Sequence, residues 1–396
     1  EEFLVAQRLK RDRLTHQQLL QAELGERNQY ELFVKKNQGL AELLEQSPYR
    51  DEHYYLAQWR RQYDYFFHPQ ALRYQFSADQ LREMMQNLDA FYVLSKMRYS
   101  AELRNRQNIL PEAYQIPLLR ESIQLAEGHP VFGTDKVFQA YRDVLGLMEQ
   151  PEDENIFGRL EMVAFSHLHL LRPDDQASLL RYLINTTIQL YNQGKEEYLS
   201  RQFRLYQLGL EKDLFLDEGQ LSDATFLNTI VTATVLREMD WVEAFIAQYA
   251  PKLPPARQMD AVSLGTAYWY FAGGDYSASN ALLRQVEATD LQYQLRVKSL
   301  SLRNYFELFL KDDTYFELLS YESKTFRKFL RRNQKISESR AKGYLNMASF
   351  LRKMAKWKAG GQLTSRQLSR LREKLEAESS IIAKPWLQEK LLQLKQ

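Results

Sequence analysis

Residues 239–287 read MDWVEAFIAQYAPKLPPARQMDAVSLGTAYWYFAGGDYSASNALLRQVE. One pattern occurs there twice: Asp240-Trp241-x-x-Ala244, then Asp275-Tyr276-x-x-Ser279, offset by 35 positions. In each copy an acidic residue and an aromatic close a short turn, and a small residue follows in the next helix. Recurrence at roughly 34 to 35 residues is what stacked helical hairpins produce, since each hairpin buries its apolar side against its neighbours. The expectation is that Trp241 and Tyr276 are mostly buried at equivalent places in consecutive hairpins.

Outward from this stretch the pattern holds from Leu221 to Leu310. Ser222 is placed to cap a helix running to Glu238, and Trp241 to Tyr249 answers it. Pro251, Pro254 and Pro255 break the chain before a helix from Met259 to Phe271. Gly273-Gly274 then allows a tight left-handed turn without a Cβ clash.

Around that turn the residues resemble a tetratricopeptide repeat. Counting back from Gly274-Asp275-Tyr276, Ala267 falls on the small-residue position and Tyr270 on the tyrosine position. Ser279, Leu283 and Val286 take the later packing positions, with Ser279 in place of the usual alanine and no proline at the usual end. The match covers about 50 residues of the 396. The resemblance implies a superhelix that binds proteins. One hairpin earlier, Thr225-Phe226-Leu227-Asn228-Thr229-Ile230-Val231 followed by Val242-Glu243-Ala244 resembles a pentatricopeptide repeat, which implies RNA reading one base per hairpin. No tandem array surrounds it. The Trp241–Arg332 pattern also resembles helical-repeat proteins of Bacteroidota, which implies no activity.

Composition agrees with a helical chain. Hydrophobic residues make up 44% of the sequence, enough for a large core or a long stack of small ones. The 11 prolines are clustered, with none between Asp174 and Ala250 or between Ala256 and Lys384. Alternating Val/Ile/Thr runs are scarce. About eighteen helices are expected. Tyr55, Trp59, Tyr63 and Phe66 share one face of a helix over 52–67 and are expected to be buried. Ser77-x-x-Gln80 reads as a capping box that opens a long helix to Leu110, with Leu81, Met84, Leu88, Phe91 and Leu94 or Ser95 as its buried stripe.

Signals for chemistry are nearly absent. There are no cysteines, hence no disulfide framework and no thiolate metal site. The chain has no phosphate-cradling glycine loop, no His-Glu-x-x-His and no nucleophile elbow. His167 and His169 lie about 200° apart around a helix and are not expected to share a metal. Glu152-Asp153-Glu154 precedes a helix, where negative charge suits the N-terminal dipole. No metal, cofactor or catalytic residue is expected. A transmembrane helix needs about 20 apolar residues, and no such run exists. The opening Glu-Glu-Phe-Leu-Val lacks the basic and apolar regions of a signal peptide, so a cytoplasmic location is the default expectation.

Charge is unevenly distributed. The chain carries +2, yet residues 291–396 hold 23 Lys and Arg against 10 Asp and Glu. Between Lys324 and Lys358 there are 12 basic residues and one acidic residue, Glu338. Lys324, Arg327, Lys328, Arg331 and Lys335 form one helical stripe, with Phe326 and Leu330 expected to be buried behind them. Ser337 is placed to cap a following helix that carries Arg352, Lys353 and Lys356. These eight residues are the candidate site for an anionic partner. Three alternatives remain open on sequence: a solvated face, a contact with the acidic first part of the chain or of a neighbour, and an anionic membrane surface.

The expected fold is all-α, an α-solenoid of stacked antiparallel helical hairpins, tetratricopeptide-like in its second half. The expected regions are an N-terminal helical region 1–130, a helical-repeat region 131–312 and a basic C-terminal helical region 313–396. The function expected is a non-catalytic scaffold that binds a protein partner on a helical-repeat surface. The alternative is RNA or DNA binding through the basic C-terminal helices.

Overall fold

The computed structural model describes residues 2–71, 78–107, 115–130, 132–287, 290–360, 365–378 and 380–394. The protein is all-α: nineteen α-helices make up the described residues, apart from short turns of other types and one two-residue β-ladder. The ladder pairs Leu216–Asp217 with Gln220–Leu221 around Glu218-Gly219. Contacts divide the chain into two compact units, Glu1–Leu179 and Leu180–Gln396.

The first unit contains α1 (Glu2–Arg11), α2 (Arg13–Glu26), α3 (Tyr30–Glu45), α4 (Glu52–Phe66), α5 (Asp79–Gln107), α6 (Leu119–Gly128), α7 (Lys136–Glu149) and α8 (Glu154–Met162). A π turn at Val163–His167 and a 3-10 turn at Leu168–Leu170 follow, and α9 (Pro173–Asn192) carries the border between the units. Aspartates start these helices. Asp12, Asp51, Asp135 and Asp153 each accept a backbone N–H of the first turn, satisfying donors that a helix start leaves free. Successive helices pack on one another, α2 on α3, α4 on α5, and α5 on both α6 and α7. Phe33, Leu94, Met97, Phe138, Phe157 and Leu160 are fully enclosed.

Charges inside this unit are paired. Arg98 donates from Nε to Asp175 Oδ1 at 2.7 Å and from Nη1 to Glu52 Oε1 at 2.8 Å. Arg172 pairs with Asp51, the N-cap of α4. Arg159 grips buried Asp143 through two hydrogen bonds of 2.7 and 2.9 Å.

Two expectations for this unit fail. Tyr55 is buried, but Tyr63 is 44% exposed and Leu88 of α5 is 42% exposed. The inner side of α4 is instead formed by Glu52, Tyr55, Ala57, Gln58 and Gln62. Its two glutamines are partnered: Tyr54 Oη accepts from Gln58, Gln58 accepts from Arg61, and Gln62 accepts from Asn87. On α5 the buried positions are Met84, Ala90, Val93, Leu94, Met97, Ser100 and Ala101. The capping box expected at Ser77 lies outside the described residues.

The second unit continues with α10 (Glu197–Glu211), α11 (Asp223–Val235), α12 (Met239–Tyr249), α13 (Pro255–Gly273), α14 (Tyr276–Leu283), α15 (Leu291–Lys311), α16 (Phe316–Arg332), α17 (Glu338–Ala359), α18 (Ser365–Ala377) and α19 (Lys384–Gln393). Ser222 caps α11 through Thr225 N, and Gly274 ends α13 at φ +85°. The α13–α14 hairpin is visible in its cross-links. Phe271 meets Tyr276 beside the turn, Ser279 Oγ donates to Ala267 O at 2.8 Å, and Glu287 N donates to Asp260 Oδ1 at 3.1 Å. These pairs step away from the turn on both sides, as antiparallel helices require. The hydroxyl that distinguishes Ser279 from alanine is buried but satisfied, since it also accepts from Asn304 of α15 at 2.9 Å.

The proposed equivalence of Trp241 and Tyr276 is not found. Asp275 is the N-cap of α14 and accepts from Ala278 N, whereas Asp240 lies inside α12, two residues past its N-cap Glu238. The fully buried counterparts are Val242 and Ser279, 37 positions apart, and Ala244 is exposed. Trp241 is partly buried and stacks on Phe203 and Phe245, while Tyr276 lies against Phe271 and beneath the Lys311 ammonium. Both rings are partly buried, against different partners.

Neighbouring side chains press on the backbone at two glycines. A Cβ at Gly265 of α13 would lie 2.7 Å from Ile230 Cδ1 of α11. A Cβ at Gly209 of α10 would lie 2.1 Å from the Phe215 ring. The last helix is held by charge as well as by Leu387. Lys390 Nζ reaches Glu307 Oε1 of α15 at 2.8 Å, and Trp386 Nε1 donates to the same oxygen at 2.9 Å.

Candidate anionic-partner site

The site starts from the pattern of α16. Leu319, Ser323, Phe326 and Leu330 recur at helical spacing and are buried. Ser323 Oγ donates to Ala348 O of α17, and Phe326 packs edge-on to Tyr344. That packing turns Lys324, Lys328 and Arg331 to solvent and leaves Arg327 partly covered. Lys335 is exposed but not on the helix. Asn333 takes φ −95° and ψ 94°, ends α16 after Arg332, and its side chain accepts from Lys335 N at 3.3 Å. Lys335 therefore sits in the turn that leads through buried Ile336 to α17. Ser337 is the N-cap of α17 but makes no side-chain capping bond.

On α17 the buried residues Met347, Leu351, Met354 and Ala355 leave Lys353 and Lys356 exposed and Arg352 partly covered. The eight candidate residues thus do not make one stripe. Arg327 and Arg331 of α16 and Arg352 of α17 lie on packed helices, and burial, then the charges of Arg331 and Arg352, lowers the Arg327 guanidinium from its ordinary value. Lys353 turns instead to Lys374 of α18, and burial, then that second ammonium, lowers it as well. Lys324 and Lys328 line the outer side of α16, where Tyr321 is 64% exposed.

Among the described residues, none of these eight cations has a carboxylate at ion-pair distance. Their neighbours do. Lys358 reaches Asp313 at 2.7 Å, and Lys342 reaches Glu378 at 3.9 Å. The Nε groups of Arg327 and Arg352 are shielded from solvent and meet no acceptor. Beside them a narrow crevice between α16 and α17 is lined by Phe316, Leu319, Ser320, Arg352, Ala355 and Lys356. Lys374 and Ser320 were not among the sequence candidates. Lys374 could have been noticed in the basic run of α18, but its meeting with Lys353 follows from packing alone.

Elsewhere, His167 and His169 keep their ring centroids 6.5 Å apart, and Lys136 Nζ lies 2.9 Å from His167 Nε2. Among the described residues no three His, Asp or Glu side chains gather as metal ligands. No described helix is long and apolar enough to cross a membrane. Compared with known proteins, the chain matches no family model, no curated protein sequence and no solved structure.

Proposed function

We propose that the protein is a non-catalytic interaction scaffold that holds an acidic segment of a partner protein on the α16–α17 face. The observation that carries this reading is that Arg327, Arg331 and Arg352, on two packed helices, have no carboxylate at ion-pair distance among the described residues, and that the Nε groups of Arg327 and Arg352 meet no acceptor. Like charges gathered on packed helices are unfavourable alone and become favourable when an anion joins them. Guanidinium forks suit carboxylates in particular, because they present paired N–H donors in a plane. The tetratricopeptide-like α13–α14 hairpin adds to the reading, since that resemblance implies protein binding. No cofactor or reaction is part of it.

A second reading, single-stranded nucleic acid, is favoured by Tyr321, whose exposed ring beside Lys324 and Lys328 offers a base a stacking face. The other rings of the hairpin, Phe326, Phe329 and Tyr344, turn toward the core. The two readings separate in a fluorescence-anisotropy titration of the purified chain with a labelled poly-glutamate peptide and with a single-stranded RNA of equal charge. The peptide is expected to bind more tightly. The variant carrying Arg327→Glu, Lys328→Glu and Arg331→Glu is expected to lose most of that binding. Tighter RNA binding, with a log–log salt slope of roughly −0.7 per neutralised phosphate, favours the second reading. Binding of both probes that survives the triple reversal removes the α16–α17 face from either.

A further inference from the structure

Helix α5 carries apolar residues on two sides. Met84, Val93, Leu94, Met97 and Ala101 face the interior of the N-terminal unit. Met85, Leu88, Tyr92 and Tyr99 are exposed, Met85 and Tyr99 by more than half. Single exposed apolar residues are ordinary on a protein surface. These four instead follow one another at steps of three, four and seven along one helix. That is the spacing by which one helix seats on another in a coiled coil. The steps carry the seam along about 21 Å of α5, on the side turned away from the unit's own core.

The charges beside the seam indicate what covers it. Asp89 and Lys96 flank it on one side, two turns apart and therefore too distant to pair with each other. Among the described residues neither has an ion-pair partner. On the other flank Met84 is buried and Arg98 is already bound to Asp175 and Glu52. A helix that presents an acid and then a base along its length is complementary to a copy of itself running the opposite way. An antiparallel copy sets Leu88 opposite Tyr99 of the second copy in the same register that sets Asp89 opposite Lys96 of the second copy. A two-fold axis beside Tyr92 repeats both contacts.

We propose that the exposed seam of α5 joins two copies of this chain as an antiparallel homodimer. Leu88 and Tyr99 pack across the two-fold axis, and Asp89 pairs with Lys96 beside them. The dimer is independent of the anionic-partner reading, which concerns helices of the other compact unit.

The test is sedimentation equilibrium of the full chain from about 1 to about 100 μM, the range in which an interface of modest size assembles. The mass is expected to rise to that of two chains. Leu88→Glu puts a carboxylate into the apolar seam and is expected to weaken the dimer at least about tenfold, with the helical circular dichroism of the monomer retained. Tyr92→Glu is the second variant, read in the same way if Leu88→Glu fails to fold. Asp89→Lys sets lysine against lysine and is expected to weaken the dimer, whereas Asp89→Lys combined with Lys96→Asp restores it. A chain that stays monomeric throughout overturns the proposal, including the case in which another protein covers the seam. A dimer that survives both glutamate variants unweakened places the contact elsewhere and overturns it too. Failure of the double reversal to recover what Asp89→Lys loses overturns the antiparallel register.

Discussion

In the N-terminal unit Arg98 lies against two carboxylates, Arg172 against Asp51, and Arg159 against Asp143 through two bonds. On α16 and α17 of the C-terminal unit, Arg327, Arg331 and Arg352 have no such partner among the described residues. Both groups are arginines on packed helices. They differ in whether the fold supplies the anion. Where an arginine serves the fold, the carboxylate comes from another helix and is itself buried, as Glu52 and Asp175 are. Where no carboxylate comes, the cation adds little to stability and is left to attract something from outside. The C-terminal unit can pair charges as well, since Lys390 and Glu307 meet in its interior. Arg303 of α15 likewise has no carboxylate at ion-pair distance among the described residues, but its guanidinium lies over the Phe271 and Trp386 rings.

Three measurements break or sharpen this contrast. The largest effect is expected from Asp175→Ala, which removes a buried anion from Arg98. Leaving a covered charge short of its partner costs about 3 kcal/mol, read as a lower urea midpoint. A loss of less than about 1 kcal/mol would mean that the paired arginines are as dispensable as the unpaired ones.

Tyr276 supplies an intermediate effect. Burial, then Glu307, push its hydroxyl from 10.0 to about 12. Its folded value lies above its unfolded value, so its contribution is complete below pH 10.0 and is lost as pH rises through about 12. Tyr276→Phe is expected to cost about 1 kcal/mol at neutral pH, the worth of one hydrogen bond. It should also flatten the alkaline loss of stability followed by circular dichroism. An unchanged alkaline limb would detach Tyr276 from Glu307.

The smallest effect is expected from the combined Arg327→Glu, Lys328→Glu and Arg331→Glu exchange. Its thermal midpoint should move by no more than about 1 kcal/mol of stability in either direction, since Lys328 and Arg331 are exposed and Arg327 has no carboxylate partner to lose. Marked destabilisation would place these arginines with Arg98, as parts of the fold.

The stripe on α16 was legible in sequence because Leu319, Phe326 and Leu330 repeat at helical spacing, and that spacing fixes which side Lys324, Lys328 and Arg331 face. The end of the helix was not legible. Neither glycine nor proline marks Asn333, so Lys335 read as one more turn. The inner side of α4 was misread for a related reason. Gln58 and Gln62 do not look like core residues until Tyr54, Arg61 and Asn87 are seen to satisfy them, and the aromatic run through Tyr63 looked more like one. The expected repeat rested on a register that the helix starts do not share. Asp240 and Asp275 match as letters, but Asp275 caps its helix and Asp240 does not. Val242 and Ser279, which do correspond in burial, share no chemistry that a comparison of letters would detect. The meeting of Arg327 with Arg352, and of Lys353 with Lys374, depends on how helices pack, and no local pattern carries that.

The Phe215 ring lying on Gly209 also limits what this chain can become. A side chain at 209 would meet the ring, so a substitution there requires the Phe215 ring to move or to be replaced. Gly39 and Gly158 also lie within helices, and a methyl group at either would meet nothing within 4 Å. Alanine there would even raise helical propensity. In a population of drifting sequences, then, residues 209 and 215 should change together or not at all, while 39 and 158 wander.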